Sequence, residues 1–438
     1  MPLTRILVVG AGFAGVECLH HLERSLRPEE AELMLVSPED YQLYLPLLPQ
    51  VASGLLTPQS IAVSLRRRLR RTRYIPGMAT GVDPGSKKLT VRAASGAQRD
   101  LHYDVLLIAA GSTTRLLDIP GIEEHALGIK TLAQAAYLRD HVISQLDAAA
   151  VTQDPAERAE RLRFVVVGGG YAGTETAAAL QLLTEAAARR FPRLNPADLS
   201  WHLVDIAPRL LPEIGERLGD KALAALRKRG IEISLETSVK RLTARAVELT
   251  DGRTLPTRTL VWTAGVAASP LVNTLDADLL KGRLVTTPTM SVPGAPGVFA
   301  VGDAAAVPDL AKGGDSVTPP TAQHSQRQGK AVARNIAATL RGTPLKPYYH
   351  RDLGLVVDLG DTYAVSRPVG IELSGFPAQV VARGYHLFAL PTLTARSRVL
   401  VNWTLHATTG DDFVSTGFQR GRPATLPRFE HIDQYRTG

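Results

Sequence analysis

An α/β fold with two parallel-sheet units, the second inserted in the first, follows from three observations. The apolar run Ile6-Leu7-Val8-Val9 leads straight into Gly10-x-Gly12-x-x-Gly15. A second apolar run, Phe164-Val165-Val166-Val167, leads into Gly168-Gly169-Gly170-Tyr171-Ala172-Gly173. Two later apolar runs end in glycine, one at Ala110-Gly111 and one at Ala264-Gly265, so each half carries the same opening and closing signal. A buried strand, a glycine turn and a helix start form a cradle for a dinucleotide pyrophosphate. The first glycine makes the turn, the second admits the phosphates, and the third lets helix and strand pack closely.

The chain has 438 residues, 45% of them hydrophobic, enough for two or three domains. Its net charge is +8, and part of the excess is gathered in an arginine run at positions 66–73. That run reads either as a solvated helix face or as a lipid-headgroup site. Nucleic acid is not expected, because no zinc-finger spacing or aromatic platform accompanies the charge. Cys18 is the only cysteine, which excludes catalysis through an internal cysteine pair, and no metal site is expected. No run of about 18 apolar residues is present, so membrane contact is expected to be peripheral.

Taken in order, the helix after Gly15 runs to about residue 26, and Leu33-Met34-Leu35-Val36 is the next strand. It ends at Ser37, where an acid commonly holds the adenosine ribose, and Glu39 stands close by. Residues 41–54, rich in proline and apolar side chains, are expected to line a cavity. A meander with its turn at Pro84-Gly85 precedes the strand that closes at Gly111. In the second half Glu175 sits in the first turn after Gly173, either balancing the helix dipole or contacting a cofactor. Asp205 ends the following strand and is the acid missing from the first half; it favours two free ribose hydroxyls over a 2′-phosphate. Arg209 nearby moderates that preference.

Gly302-Asp303 closes a strand well after the second unit is complete, so the chain returns to the first. Thr318-Pro319 is the expected start of a helix on which Gln323 and Arg327 share a face. Either residue could serve an electron acceptor or merely pack. The region from residue 352 mixes short strands with apolar stretches, and residues 421–438 read as a loose polar extension.

This succession of motifs resembles the flavoproteins with two dinucleotide-binding domains, and within them the type II NADH:quinone oxidoreductases. The likeness rests on the glycine turns, on Phe299-Ala300-Val301-Gly302-Asp303, on residues 44–54, and on Ala322-Gln323-His324-Ser325-Gln326-Arg327. The last stretch departs from the A-Q-x-A-x-Q pattern at Ser325 and Arg327. The resemblance implies two Rossmann-like domains plus a C-terminal α+β region. Residues 1–125 and 290–345 would bind FAD, 126–289 NAD(P)H, and 346–438 would serve attachment, the acceptor site or dimerisation. It implies FAD against Gly10, Gly12, Phe13, Ala14, Gly15, Ser37, Pro46, Val82, Ala110, Gly111, Gly302, Asp303 and Ala322. NADH would lie against Gly168, Gly170, Tyr171, Ala172, Gly173, Glu175, Asp205, Ala264 and Gly265.

The expected reaction passes a hydride from NADH to flavin and two electrons to a membrane quinone, with Glu175, Gln323 and Arg327 as catalytic residues. The enzyme would be peripheral on the cytoplasmic side of an anionic cell membrane, as a monomer or a homodimer. Two other readings are a soluble reductase with a protein acceptor and a redox-responsive NADH-binding protein.

Overall fold

The computed structural model describes residues 3–351, 353–417 and 425–435. Strand β1 (Thr4–Val9), helix α1 (Phe13–Ser25) and strand β2 (Ala31–Ser37) form the opening βαβ unit, with β1 and β2 parallel and Ile6 opposite Leu33. Both strands are buried almost throughout, as expected where helices cover both faces of a parallel sheet. The short helix α2 (Leu48–Ala52) is wholly buried. Next, β3 (Arg73–Pro76) extends the sheet beyond β2, and β4 (Met78–Asp83), β5 (Lys88–Arg92) and β6 (Gln98–His102) make the anticipated meander. Strand β7 (Val105–Ile108) pairs with the other side of β1.

The arginine run does not form one helical face. It crosses from the four-residue helix Leu65–Arg68 into β3. A single turn cannot display six arginines on one side, and the chain bends where Glu23 accepts the backbone N–H groups of Arg70, Arg71 and Thr72.

The short strand β8 (Ser112–Thr114) follows Gly111 and leads to the long helix α3 (Leu132–Val151), closed at its start by a Thr131–Gln134 capping box. The second sheet contains β9 (Arg163–Val167), then, after helix α4 (Tyr171–Ala188), β10 (Ser200–Val204), and after α5 (Glu216–Lys228), β11 (Ile231–Ser234) and β12 (Thr259–Trp262). All its pairings are parallel. Strand β13 (Val266–Ala268) follows Gly265 and pairs antiparallel with β8. The two closing glycines therefore lead into one ribbon that joins the halves.

The return to the first unit begins earlier than residue 290. Leu271, Val272, Leu275 and Leu284 pack in the first hydrophobic core, which moves this stretch out of the second unit. Strand β14 (Val298–Ala300) then completes a five-stranded parallel sheet beside β7. Helix α6 (Ala322–Leu340) lies against α1 so tightly that a Cβ on Gly329 would overlap the backbone of Ala14. Its cap is Thr321, whose hydroxyl accepts the His324 N–H at 3.3 Å, rather than Thr318. Thr318 is buried and accepts from Gln328 at 2.9 Å, so tertiary bonding claims the residue that local pattern would make a cap.

The C-terminal region has a three-stranded antiparallel sheet of β15 (Val356–Asp358), β16 (Ala364–Ser366) and β17 (Leu373–Gly375), followed by helices α7 (Phe376–Ala389) and α8 (Leu393–Thr409). Residues 425–435 correct the expectation of a loose tail; the remainder of that stretch lies outside the described residues. Buried Glu430 accepts the Thr114 N–H and hydroxyl, each at 2.5 Å, and the Gln134 amide at 3.0 Å. Tyr435 donates to the Ala79 carbonyl at 3.0 Å, and Arg92 to that of Gln434 at 3.1 Å.

A buried carboxylate with three donors is costly to lose, because each donor is left without water or partner. Glu430→Ala is expected to lower the stability of the holoprotein by about 3 kcal/mol in denaturant unfolding. A loss below about 0.5 kcal/mol would contradict the docked tail.

Candidate active site

The two glycine turns have the same construction. Gly10 and Gly168 hold φ of +100° and +118°, a left-handed conformation that a side chain would strain. Cβ atoms on Gly15 and Gly173 would overlap the carbonyls of Gly10 and Gly168, so helix and strand touch there. Gly12 and Gly170 cap α1 and α4, and a Cβ on either meets no atom within 4 Å. Each helix thus opens onto space with free N–H groups and a positive dipole end, which fits a diphosphate.

Around the first nest the chain converges from four directions. Phe13 and Ala14 start α1, and a Cβ on Gly302 would lie 3.7 Å from that of Ala14. Asp303 accepts from Ser112 Oγ at 2.6 Å and lies 3.5 Å from Ser325 Oγ. Lys130, a residue without a role in the sequence reading, donates to Ser112 Oγ at 2.9 Å. Burial pushes its ammonium below the ordinary lysine range, while Asp303 and Glu430 draw it back. The only local signal for Lys130 was its place just ahead of the Thr131 cap. Ala322 stands at the first position of α6, and Pro46 lies beside Tyr44, whose ring meets Phe13 edge-on at 5.7 Å. An open pyrophosphate cradle, a carboxylate, two hydroxyls and an ammonium make a donor set that fits FAD.

At the adenosine end the assigned contacts are partly engaged within the protein. Ser37 is buried, and its hydroxyl accepts the Glu39 N–H at 3.3 Å. The Val82 N–H donates to Thr274 Oγ1 at 3.2 Å. In the second half Asp205 accepts the backbone N–H groups of Gly169 and, at 2.6 Å, Ala207, which fixes its carboxylate beside the turn. Arg209 is paired with Glu216 at 2.7 Å on the surface. Tyr171 is half-buried and Ala172 exposed at the start of α4. Ala264 and Gly265 abut the ribbon, where Gly265 accepts the Arg115 N–H at 3.2 Å as Gly111 accepts that of Ser269 at 3.0 Å. Ala110 precedes Gly111 at the matching place.

Glu175 extends from α4 into a cavity of about 370 Å³ that is also lined by Pro46 and Gln50 of the first unit and by Asp358, Arg383 and His386 of the C-terminal region. All three parts of the molecule therefore meet there. Glu175 accepts the Asp358 N–H at 2.8 Å. Burial holds its carboxyl well above the usual range, opposed by that hydrogen bond and reinforced by the Asp358 charge. Gln50 donates to Asp358 at 3.1 Å and accepts from Trp403 at 2.8 Å, while the Tyr44 hydroxyl lies 3.1 Å from Nδ1 of His386. Burial brings His386 down to about 4, so it is neutral near pH 7.

Gln323 and Arg327 are placed differently. The Gln323 carbonyl accepts from His350 at 2.9 Å and from the Leu353 N–H at 2.8 Å, which ties α6 to the C-terminal region. Arg327 donates to the Gln323 backbone carbonyl at 3.3 Å. Neither lines the Glu175 cavity.

The sequence profile of the pyridine nucleotide-disulphide oxidoreductase family matches residues 4–329. A type II NADH:quinone oxidoreductase of Mycobacterium tuberculosis is 31% identical over 417 residues, spanning 92% of this chain and 87% of that protein. The chain belongs to the type II NADH:quinone oxidoreductases. A Staphylococcus aureus relative of the same description is 26% identical over 85% of this chain and 91% of its own. Among solved structures, NDH2 from Plasmodium falciparum in complex with NADH superposes with a TM-score of 0.88 at 18% identity, covering 94% of this chain and 100% of that one. The family's disulphide chemistry has no counterpart here: the lone Cys18 is buried in α1.

A Cβ at Gly12 or Gly170 meets no protein atom within 4 Å, so a valine side chain there starts into the space that a ligand phosphate would fill. Gly12→Val is expected to purify with less than about a tenth of the normal flavin. Gly170→Val should keep its flavin but need at least about tenfold more NADH to reduce it, read by anaerobic stopped-flow absorbance. Normal flavin content in the first, or normal NADH dependence in the second, would contradict the assignment of the nests.

Proposed function

We infer that this protein oxidises NADH through bound FAD and passes the electrons to a quinone, and that it does so at a membrane surface. The observation that carries the reading is the shared cavity, where Glu175 from the second nest's helix faces Pro46 from the first unit. When bound, FAD supplies the hydride acceptor and the two-electron donor. The chain supplies two anion cradles, a carboxylate at Asp205 that disfavours a 2′-phosphate, and a pocket lined by all three of its parts. Glu175, whose protonated form burial favours, can in that form donate a hydrogen bond to the nicotinamide carboxamide or hold a proton beside the reacting rings. Gln323 anchors His350 and Leu353 to the start of α6, and the Arg327 charge acts on the Tyr385 hydroxyl.

No helix among the described residues is long and apolar enough to cross a membrane. Helices α7 and α8 instead present Phe376, Val380, Leu400, Val401 and Leu405 to solvent, each more than half exposed. Such a face suits peripheral attachment, with quinone reaching the site from the lipid side; we assign that attachment to the cytoplasmic face, on which NADH would be supplied. A second copy of the chain could cover the same apolar face.

Anaerobically reduced holoenzyme, mixed with menaquinone or ubiquinone analogues, should reoxidise at least about tenfold faster than with a ferredoxin-type protein. Reoxidation by the protein carrier alone would contradict the quinone assignment. Binding to vesicles distinguishes lipid from self-association as the cover of α7 and α8: a dimer in solution that ignores vesicles would overturn membrane attachment.

A further inference from the structure

A second cavity, of about 480 Å³, shares no lining residue with the Glu175 pocket. Helix α1 contributes His20, Glu23 and Arg24 to it, and the 66–73 segment folds over them. Glu23 holds that segment: besides three backbone N–H groups, it accepts the Thr72 hydroxyl at 2.8 Å. Its carboxylate meets these backbone and hydroxyl donors and, among the described residues, pairs with no guanidinium. Arg68 is engaged by Glu17 at 3.2 Å and the Pro391 carbonyl at 3.0 Å, and Arg71 by the carbonyls of Glu23 and Leu26. Arg24, Arg67 and Arg70 are exposed and make no side-chain hydrogen bond or ion pair among the described residues. Burial and the neighbouring Arg68 hold His20 below its ordinary pKa, so it remains neutral in this field.

The remaining wall is Thr392, the cap of α8, so the positive end of a long helix also borders the hollow. On either side of that cap, Phe388 and Leu393 are 75% and 76% exposed. The Arg68 bond to Pro391 fixes this apolar tip beside the basic hollow.

We propose that the hollow binds the phosphate headgroup of an anionic phospholipid while Phe388 and Leu393 enter the acyl region next to it. Guanidinium forks match phosphate oxygens in pairs, and unbalanced arginines beside an apolar tip suit a lipid better than a free anion. The proposal rests on peripheral attachment and adds a lipid preference to it.

The test is co-sedimentation of holoenzyme with vesicles of phosphatidylcholine, alone or mixed with phosphatidylglycerol. R24Q/R67Q/R70Q should bind the mixed vesicles about 100-fold more weakly, bind pure phosphatidylcholine as before, and reduce a short-chain quinone at the normal rate. Should the triple variant lose its flavin, the single variants R67Q and R70Q should each lose about fivefold on mixed vesicles alone. Unchanged binding of the arginine variants to mixed vesicles overturns the headgroup site and leaves attachment standing. By contrast, F388S/L393S should bind both vesicle types more weakly, and undiminished binding would overturn insertion of this tip; failure of the unmodified holoenzyme to bind either vesicle type would overturn attachment itself. Tight binding of inorganic phosphate in calorimetry that vesicles do not displace would identify a free anion as the ligand and overturn the lipid assignment.

Discussion

An α-helix leaves its first N–H groups without internal acceptors, and here two helix starts face open space because glycine stands where a side chain would block them. Much else follows from keeping those starts open. The strands feeding them must be buried on both faces, so each belongs to a parallel sheet with helices around it. The third glycine of each turn must let helix and strand touch, which leaves no room for a Cβ at Gly15 or Gly173. The β8–β13 ribbon then holds the two sheets in one relation.

Charge is distributed around this frame with different purposes. Asp303, Ser112 and Lys130 form a polar triangle whose carboxylate and ammonium compensate one another in partial burial. Glu175 has no cationic hydrogen-bond partner among the described residues, and burial favours its protonated form. The same pocket holds His386, which burial keeps neutral near pH 7, so no charged imidazole faces Glu175 there.

The sheets, glycine turns and order of the units were legible because each is encoded locally, in apolar runs and glycine spacing. Thr318 misled because its hydroxyl serves Gln328, a bond invisible to local pattern. The tail at 425–435 looked loose because its polar residues have partners more than three hundred positions away, at Thr114 and Ala79. Lys130, Gln50 and Trp403 went unassigned for the same reason: their roles arise where chain segments distant in sequence meet. Gln323 was read from its helix face alone, as serving an acceptor or packing, and local pattern could not show that its amide oxygen meets His350 and the Leu353 N–H of the C-terminal region.

The central claim is that one crevice brings a nicotinamide bound in the second nest against a flavin bound in the first. Its most direct test is the rate of anaerobic flavin bleaching with NADH deuterated at either the 4R or the 4S position. A fixed stacking geometry predicts a primary isotope effect for one of the two and none for the other. Equal effects from both, or bleaching that neither label slows, would contradict direct transfer across this crevice.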